Sequence, residues 1–305
     1  MTFNPTPLPL QRWLILIHAL LSVLFLSACS DTGQQVSEAS ANNLRLLTHN
    51  VWYGFTKVPE RKAQWLEWMR EQAPDIVFLQ ELNAYTPEQL QADAASWGHP
   101  YSALLKEEGF PTGITSRYPI ADVRRFLDGF HHGLMRARIK GMYVYNVHLH
   151  PGDWAVRNRE IERILADIEG LPGEAPIVLA GDFNTFSPYD SVYYAHGELE
   201  PFFQGLDGGK NLKDGRLDYG ALQQLLDAGL IDLEYRLRDD DYRFTGSFPT
   251  LIEKEGAHGN RRRLDYVFVN DVLLPDVRRA AVIADDTTLY LSDHLPVVVD
   301  LQFSK

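Results

Sequence analysis

The chain has 305 residues, 45% of them hydrophobic and 23% charged, enough for one large globular core or two small ones. Its formal net charge is −12, which repels polyanions at long range and counts against tight, non-specific binding of nucleic acid. An enzyme that brings a cation to an anionic phosphate remains compatible with that balance.

Arg12 ends a weakly basic start, and residues 13–26 follow as an apolar run broken only by His18 and Ser22. Leu26-Ser27-Ala28-Cys29 closes it. An apolar stretch with small residues at its end predicts a secretory signal over residues 1–28, short of the roughly 20 apolar residues a spanning helix needs. Cys29 is the single cysteine, so it has no intramolecular disulfide partner, although the chain reads as exported. Its place after Leu-Ser-Ala resembles a bacterial lipoprotein box. The resemblance implies lipidation of Cys29 and a lipid anchor in the bacterial cell envelope, on a periplasmic or extracellular membrane face. Residues 30–43 are rich in Ser, Gln, Asn, Glu and Ala, the composition of a flexible tether. The expected division is signal 1–28, tether 29–43 and folded domain 44–305. Without residues 1–28, which hold one Arg and no acid, the net charge is −13.

Residues 44–51 form a mixed apolar run of strand length. Residues 59–72 carry Trp65, Leu66, Trp68 and Met69 at helical spacing, with Pro59 suited to a first turn. A buried strand is predicted at 75–79, ending in Gln80-Glu81, and a helix at 87–95. Short strands follow at 101–105, 112–115, 123–126, 134–139 and 142–148, with Gly141 in the last turn. Residues 154–168 have helical period and 177–180 are a strand. Residues 189–217, rich in Gly, Tyr and acids, read as an insertion or long loop. A helix over 222–226 ends at Gly229, and strands at 264–269, 280–284 and 294–303 complete the chain. Strands in both halves with helices between them predict an α+β sandwich.

Five of these strands carry polar groups at their mouths: Thr48-His49-Asn50-Val51, Leu79-Gln80-Glu81, Asn146-Val147-His148-Leu149, Gly181-Asp182-Phe183-Asn184 and Ser292-Asp293-His294. Arg263-Leu264-Asp265-Tyr266 opens a sixth. Buried carboxylates are costly unless paired or metal-bound, so acids at the ends of apolar strands predict one polar site at a sheet edge. In this order, and with Gly113-Ile114-Thr115-Ser116-Arg117-Tyr118-Pro119-Ile120, the segments resemble the endonuclease/exonuclease/phosphatase superfamily, the deoxyribonuclease I-like fold, from Leu44 to the C-terminus. The resemblance implies a four-layer α/β-sandwich: two packed, mostly antiparallel sheets flanked by helices.

It also implies a monomeric phosphodiesterase using Mg²⁺, or Mn²⁺ in its place, to hydrolyse its substrate with an activated water. Hard oxygen ligands hold such a cation and leave room for waters and a phosphate oxygen. Glu81 is the implied metal ligand, with Asn50 binding the metal or its water and Asp293 beside the metal, directly or through a water. Asp182 would orient or deprotonate the water, and Asn184 would bind the non-bridging phosphate oxygens. His294 would contact the phosphate, oriented by Asp265. His148 would donate to the phosphate or the leaving oxygen. Which group is base and which acid stays open at this level.

Each residue also has an ordinary structural reading. Asn50 suits a strand-end turn, Glu81 a surface cap, His148 a core histidine, Asp182 with Asn184 an Asx turn, and Asp265 an ion pair with Arg261, Arg262 or Arg263. Arg117 and Arg263 are candidates for a substrate phosphate, set against a solvated loop and a solvated face. His131 and His132 read as an exposed loop. The expected substrate is nucleic acid. A phospholipid or phosphoinositide head group is the alternative, with the aromatic residues of 189–217 as its surface or lid. A non-catalytic binding lipoprotein is the third reading.

Overall fold

Apolar runs such as 76–79 and 177–180 suit strands buried on both faces, and the fold buries every one of these residues. The computed structural model describes residues 1–2, 42–254 and 256–304. The predicted signal beyond its first two residues, nearly all of the tether, and Cys29 lie outside the described residues. Residues Leu44–Gln302 form one compact unit. Among the described residues no helix is long and apolar enough to cross a membrane.

The first sheet contains β1 (Asn43–Asn50), β2 (Ile76–Gln80), β3 (Tyr101–Leu104), β4 (Gly113–Ser116), β13 (Val277–Val282) and β14 (Val297–Gln302), in the order β13-β14-β1-β2-β4-β3. The second contains β5 (Ala121–Phe126), β6 (Leu134–Ile139), β7 (Met142–His148), β8 (Ile177–Asp182), β11 (Ile231–Asp232) and β12 (Asp265–Val269), in the order β11-β12-β8-β7-β6-β5. Each sheet is mixed: β1 with β2 and β7 with β8 are parallel, and most other neighbours run antiparallel. Helices α1 (Lys62–Gln72) and α2 (Pro87–Ser96) cover the first sheet, packing Trp65, Trp68, Met69 and Leu90 on Val77, Leu79 and Val298. α3 (Trp154–Glu169) and α5 (Gly220–Asp227) cover the second, with Ile161, Ile164, Leu222 and Leu225 against Tyr145, Leu179 and Phe268. Each such side chain, fully buried, contributes about 1.5–3 kcal/mol.

Local signals set the helix starts. Thr86 and Gln89 make a capping box at α2, with Pro87 in the first turn. The Asp153 carboxylate accepts from the Ala155 and Val156 amides at α3. The last predicted strand starts at Val297 instead of His294, because Pro296 has no N–H to give a ladder.

Residues 189–217 are not a loop. They contain a 3₁₀ segment (Pro188–Tyr194), α4 (Leu199–Asp207) and the hairpin β9 (Leu212–Lys213) with β10 (Arg216–Leu217). Tyr194, Leu199, Phe203, Leu212 and Leu217 pack with Phe186, Phe248 and Leu264 in a third apolar cluster. Elements this short carry no readable period. The four-residue α6 (Leu233–Arg236) after β11 escaped prediction for the same reason.

Candidate active site

Strand direction and register gather the polar strand ends at one edge. On β7 and β8 His148 pairs with Asp182, and on β12 and β8 Asp265 also pairs with Asp182. In the other sheet Asn50 pairs with Gln80, one residue before Glu81. A buried amide bridge joins the sheets behind them: Gln80 Nε2 donates to Asn146 Oδ1 at 2.8 Å, and Asn146 Nδ2 to the carbonyls of Leu79 and Gly113 at 3.0 and 2.7 Å. Asn146 stood in a recognised motif, but only the packing shows it as the strut between the sheets.

Asp182 is the centre. Its Oδ2 lies 3.7 Å from His148 Nε2, 3.8 Å from His294 Nε2 and 3.1 Å from Asn50 Nδ2. Its Oδ1 accepts from the Asn184 backbone amide at 2.8 Å. The Asn184 side-chain amide donates to Leu149 O at 3.1 Å and to Asp182 Oδ2 at 3.3 Å, so it braces this turn. His294 Nδ1 donates to Asp265 Oδ2 at 2.7 Å, which fixes the ring and leaves Nε2 facing Asp182. Asn50 Nδ2 also donates to Glu81 Oε1 at 3.3 Å, while its carbonyl oxygen accepts from the Trp52 amide at 3.0 Å. In this arrangement Asn50, expected to bind the metal or its water, holds two carboxylates by its side-chain nitrogen. Glu81 accepts from the Tyr53 amide at 2.9 Å.

The Ser292-Asp293-His294 turn is held from several sides. Ser292 Oγ donates to Asn50 O at 2.7 Å and accepts from the His294 amide at 3.2 Å. Ser247 Oγ accepts from the Leu264 and Asp265 amides, and its carbonyl from Leu295 N at 2.7 Å. Ser247 therefore ties Asp265 to the turn that carries His294, a role no sequence signal announced. Trp52, Tyr53, Glu81 and Asn184 all have positive φ, between 48° and 56°. Left-handed backbone at three non-Gly, non-Asn residues stores strain, and such strain gathers where geometry matters for chemistry.

Burial and charge shape the protonation states. Burial pushes the Asp182 carboxyl up, with Asp265 adding to it and His294 opposing. Asp293 is pushed up to about 7, by burial against the pull of His294 and with the Glu81 charge beside it. For His294 burial works against the charged form, yet Asp265, Asp182 and Asp293 together raise it. His148 is driven the other way by burial and by its histidine neighbours, and stays neutral.

Four carboxylates, Glu81, Asp182, Asp265 and Asp293, thus cluster at the strand ends around a single raised histidine. Asp265 Oδ1 and His148 Nδ1 are buried without a partner. This surplus of hard oxygen donors fits a divalent cation. Asp182, Asp265 and His294 bring ligand atoms within 4.8 Å of one another. Because His294 Nδ1 is already committed to Asp265, the better fit for a hard cation is the oxygen side of the cluster, Glu81 and Asp293 next to Asp182.

Two expected residues are elsewhere. Arg117 follows β4 and pairs with Asp75 at 3.3 Å, at the start of β2, the end away from Glu81. Arg263 is fully buried and bound by Asp232, Asp190 and Glu234 at 2.6, 2.7 and 2.9 Å. Its basic neighbours in sequence suggested a surface patch, whereas three buried acids from separate elements claim it for the core. His132, expected in an exposed loop, is buried.

The sequence pattern of the endonuclease/exonuclease/phosphatase family matches residues 47–294. The chain belongs to this family. Members of the endonuclease/exonuclease/phosphatase family are metal-dependent phosphoester hydrolases, and two mixed six-stranded sheets flanked by helices are their fold. Three solved structures share the architecture. An AP endonuclease from Archaeoglobus fulgidus is 20% identical with a TM-score of 0.64, covering 84% of this chain and 98% of its own. The 3′ phosphatase NExo from Neisseria, bound to product DNA hairpin, is 20% identical with a TM-score of 0.61, over 85% and 100%. D. rerio TDP2 complexed with single-strand DNA product is 19% identical with a TM-score of 0.59, over 86% and 99%. An uncharacterised protein of Caenorhabditis elegans is 23% identical over 201 residues, 56% of this chain and 63% of that relative.

Proposed function

We propose that the protein is a Mg²⁺-dependent phosphodiesterase acting on nucleic acid, exported and held to a membrane by lipidated Cys29. The observation that carries the catalytic part is Asp182: a buried carboxylate with His148 and His294 at 3.7 and 3.8 Å, and Asp265 fixing the second histidine. Glu81 and Asp293 would hold the metal ion, with Mn²⁺ as a substitute. When bound, the metal supplies positive charge against the phosphate oxygens.

The protein groups do the rest. Asp182, its proton affinity raised by burial, accepts the proton of the attacking water. His294 presents its Nε2–H as an imidazolium to a phosphate oxygen, neutralising charge as the water oxygen bonds to phosphorus, the ester P–O bond breaks and the leaving oxygen takes a proton from solvent. His148 stays neutral, so it serves as a hydrogen-bond donor through Nε2. Asn50 and Asn184 keep Asp182 from rotating.

Nucleic acid is favoured because structural neighbours are an AP endonuclease and enzymes with DNA products bound. A second reading, hydrolysis of a phospholipid head group, is supported by the apolar exposure of Tyr189, Val192 and Tyr193 beside a sequence that reads as membrane-anchored. The purified protein would be incubated with supercoiled plasmid in Mg²⁺, in EDTA and as His294→Ala. Nicking that needs both Mg²⁺ and His294 supports the nuclease. A folded protein that never nicks, yet cleaves phospholipid vesicles, moves the reading to the head group. Turnover unaffected by EDTA and by His294→Ala sinks both.

A further inference from the structure

A row of four histidines leaves the candidate active site toward the surface. His132 stacks on His148 with ring centroids 4.0 Å apart and planes at 16°. His131 follows at 4.4 Å from His132, and His150 at 4.1 Å from His131. The row opens into a cavity of about 390 Å³, lined by His131, His150, Gly129, Arg159 and Arg163. Both arginines are exposed on α3.

The row is built, not incidental. Buried Glu160 accepts from the backbone amides of His131 and His150 at 2.6 and 2.8 Å, which holds the two loops with their rings side by side. Each Glu160 oxygen accepts from one backbone amide. Gly129 has φ +81°, and a Cβ there would meet the Arg163 guanidinium at 2.5 Å, so the missing side chain is what lets that cation lie against the loop. Lys106 adds another cation close enough to act on His131 and His132. Crowded bases of one sign disfavour one another's charged forms, and a bound anion would reverse that. A transition metal fits less well: the one group of ligand atoms that converges among the described residues is Asp182, Asp265 and His294, and it includes no histidine of the row.

We propose that His132, His131 and His150, with Lys106, Arg159 and Arg163, form a subsite for a second phosphate, the one adjoining the scissile phosphate on a nucleic-acid strand. The proposal rests on the phosphodiesterase reading above. It explains how a chain of net charge −12 can take a polyanion: the cations Arg159 and Arg163 line the outer end of a histidine row that starts at the site. Phe110, packed on His132 at 5.1 Å and on Tyr53 at 5.1 Å, adds an aromatic surface beside it, of the kind on which a base stacks.

The test compares the full-length protein with the double variant Arg159→Ala/Arg163→Ala on two substrates. Bis(p-nitrophenyl) phosphate has one phosphate; a single-stranded thymidine octanucleotide has several. The expected result is a KM for the octanucleotide raised about tenfold, with kcat/KM for bis(p-nitrophenyl) phosphate within about twofold of the parent. Equal effects on both substrates, or none on either, overturn the subsite. So does a parent enzyme that cleaves the small diester and not the octanucleotide. If the parent cleaves neither, the phosphodiesterase reading fails, and a second measurement decides the subsite alone: titration with inorganic phosphate, followed by the proton NMR signals of His131 and His150. Shifts in the parent that vanish in the double variant support an anion site, and unmoved signals overturn it.

Discussion

His148 and Asp182 are register partners on parallel strands, and that pairing turns His148 Nε2 to within 3.7 Å of the Asp182 carboxylate. The two belong to different motifs, 34 positions apart in the chain, and only the β7–β8 ladder makes them neighbours. Asp265 meets Asp182 from the other side by the same rule, on an antiparallel strand.

Removing the central groups is therefore expected to stop chemistry without unfolding the protein. Asp182→Asn and His294→Ala should each lower kcat by about 10²–10⁴-fold. Far-ultraviolet circular dichroism should match the parent. Retained turnover in both variants would show that the centre lies elsewhere.

Asp265 acts through His294. Burial lowers the affinity of His294 for its proton, and the neighbouring carboxylates overcome that. An imidazolium requirement means activity falls as pH rises through the His294 pKa. Asp265→Asn should bring that alkaline limb to lower pH as well as lowering kcat. A pH profile of kcat/KM with an unmoved alkaline limb would contradict the assignment.

Gly181 allows β8 to lie against β7. A Cβ there would stand 1.9 Å from the Val147 carbonyl oxygen, at φ +147°. Gly181→Ala should destabilise the fold by about 3 kcal/mol, lowering Tm by roughly 6–12 °C. Thermal unfolding reads this directly, and an unchanged Tm would rule the close approach out.

Acid should unfold the protein through buried histidines that have no part in the chemistry. His49 is buried between the Trp65 indole N–H, which donates to Nδ1, and the His294 carbonyl, which accepts from Nε2. Burial lowers it from 6.5 to about 3. The folded pKa lies below the unfolded one, so its contribution is complete above pH 6.5 and is lost as pH falls toward 3. His99, between Thr115 and the Pro74 carbonyl, is lowered to about 4 by burial and adds to the same loss. Denaturant midpoints should fall steadily from pH 6.5 to 4, and a flat profile would refute this.

Arg263→Ala should act as a core defect. It leaves Asp190, Asp232 and Glu234 without the guanidinium they surround, a loss of about 3–5 kcal/mol. Denaturant unfolding measures it. A variant of full stability with a raised KM would restore the substrate-contact reading.

Long apolar runs and their polar ends were legible in the sequence, because a strand buried on both faces tolerates few polar residues and those must cluster at its ends. That pattern predicted a polar site at a sheet edge and a two-sheet sandwich, and the family resemblance of the same segments then named Asn50, Glu81, His148, Asp182, Asn184, Asp265, Asp293 and His294. What those residues touch was not legible. Whether an arginine beside two others in the chain faces solvent or three acids depends on Asp190, Asp232 and Glu234, which arrive from other elements. Arg117 was drawn into the site by a motif and placed at the wrong end of its sheet by strand direction. Asn146 as a strut, Ser247 as a tie and the histidine row all depend on contacts between residues remote in sequence. Pattern along a chain reports which residues must be buried together, since burial follows local period. Register, strand direction and sheet packing decide which polar atoms then meet, and those are properties of the tertiary structure alone.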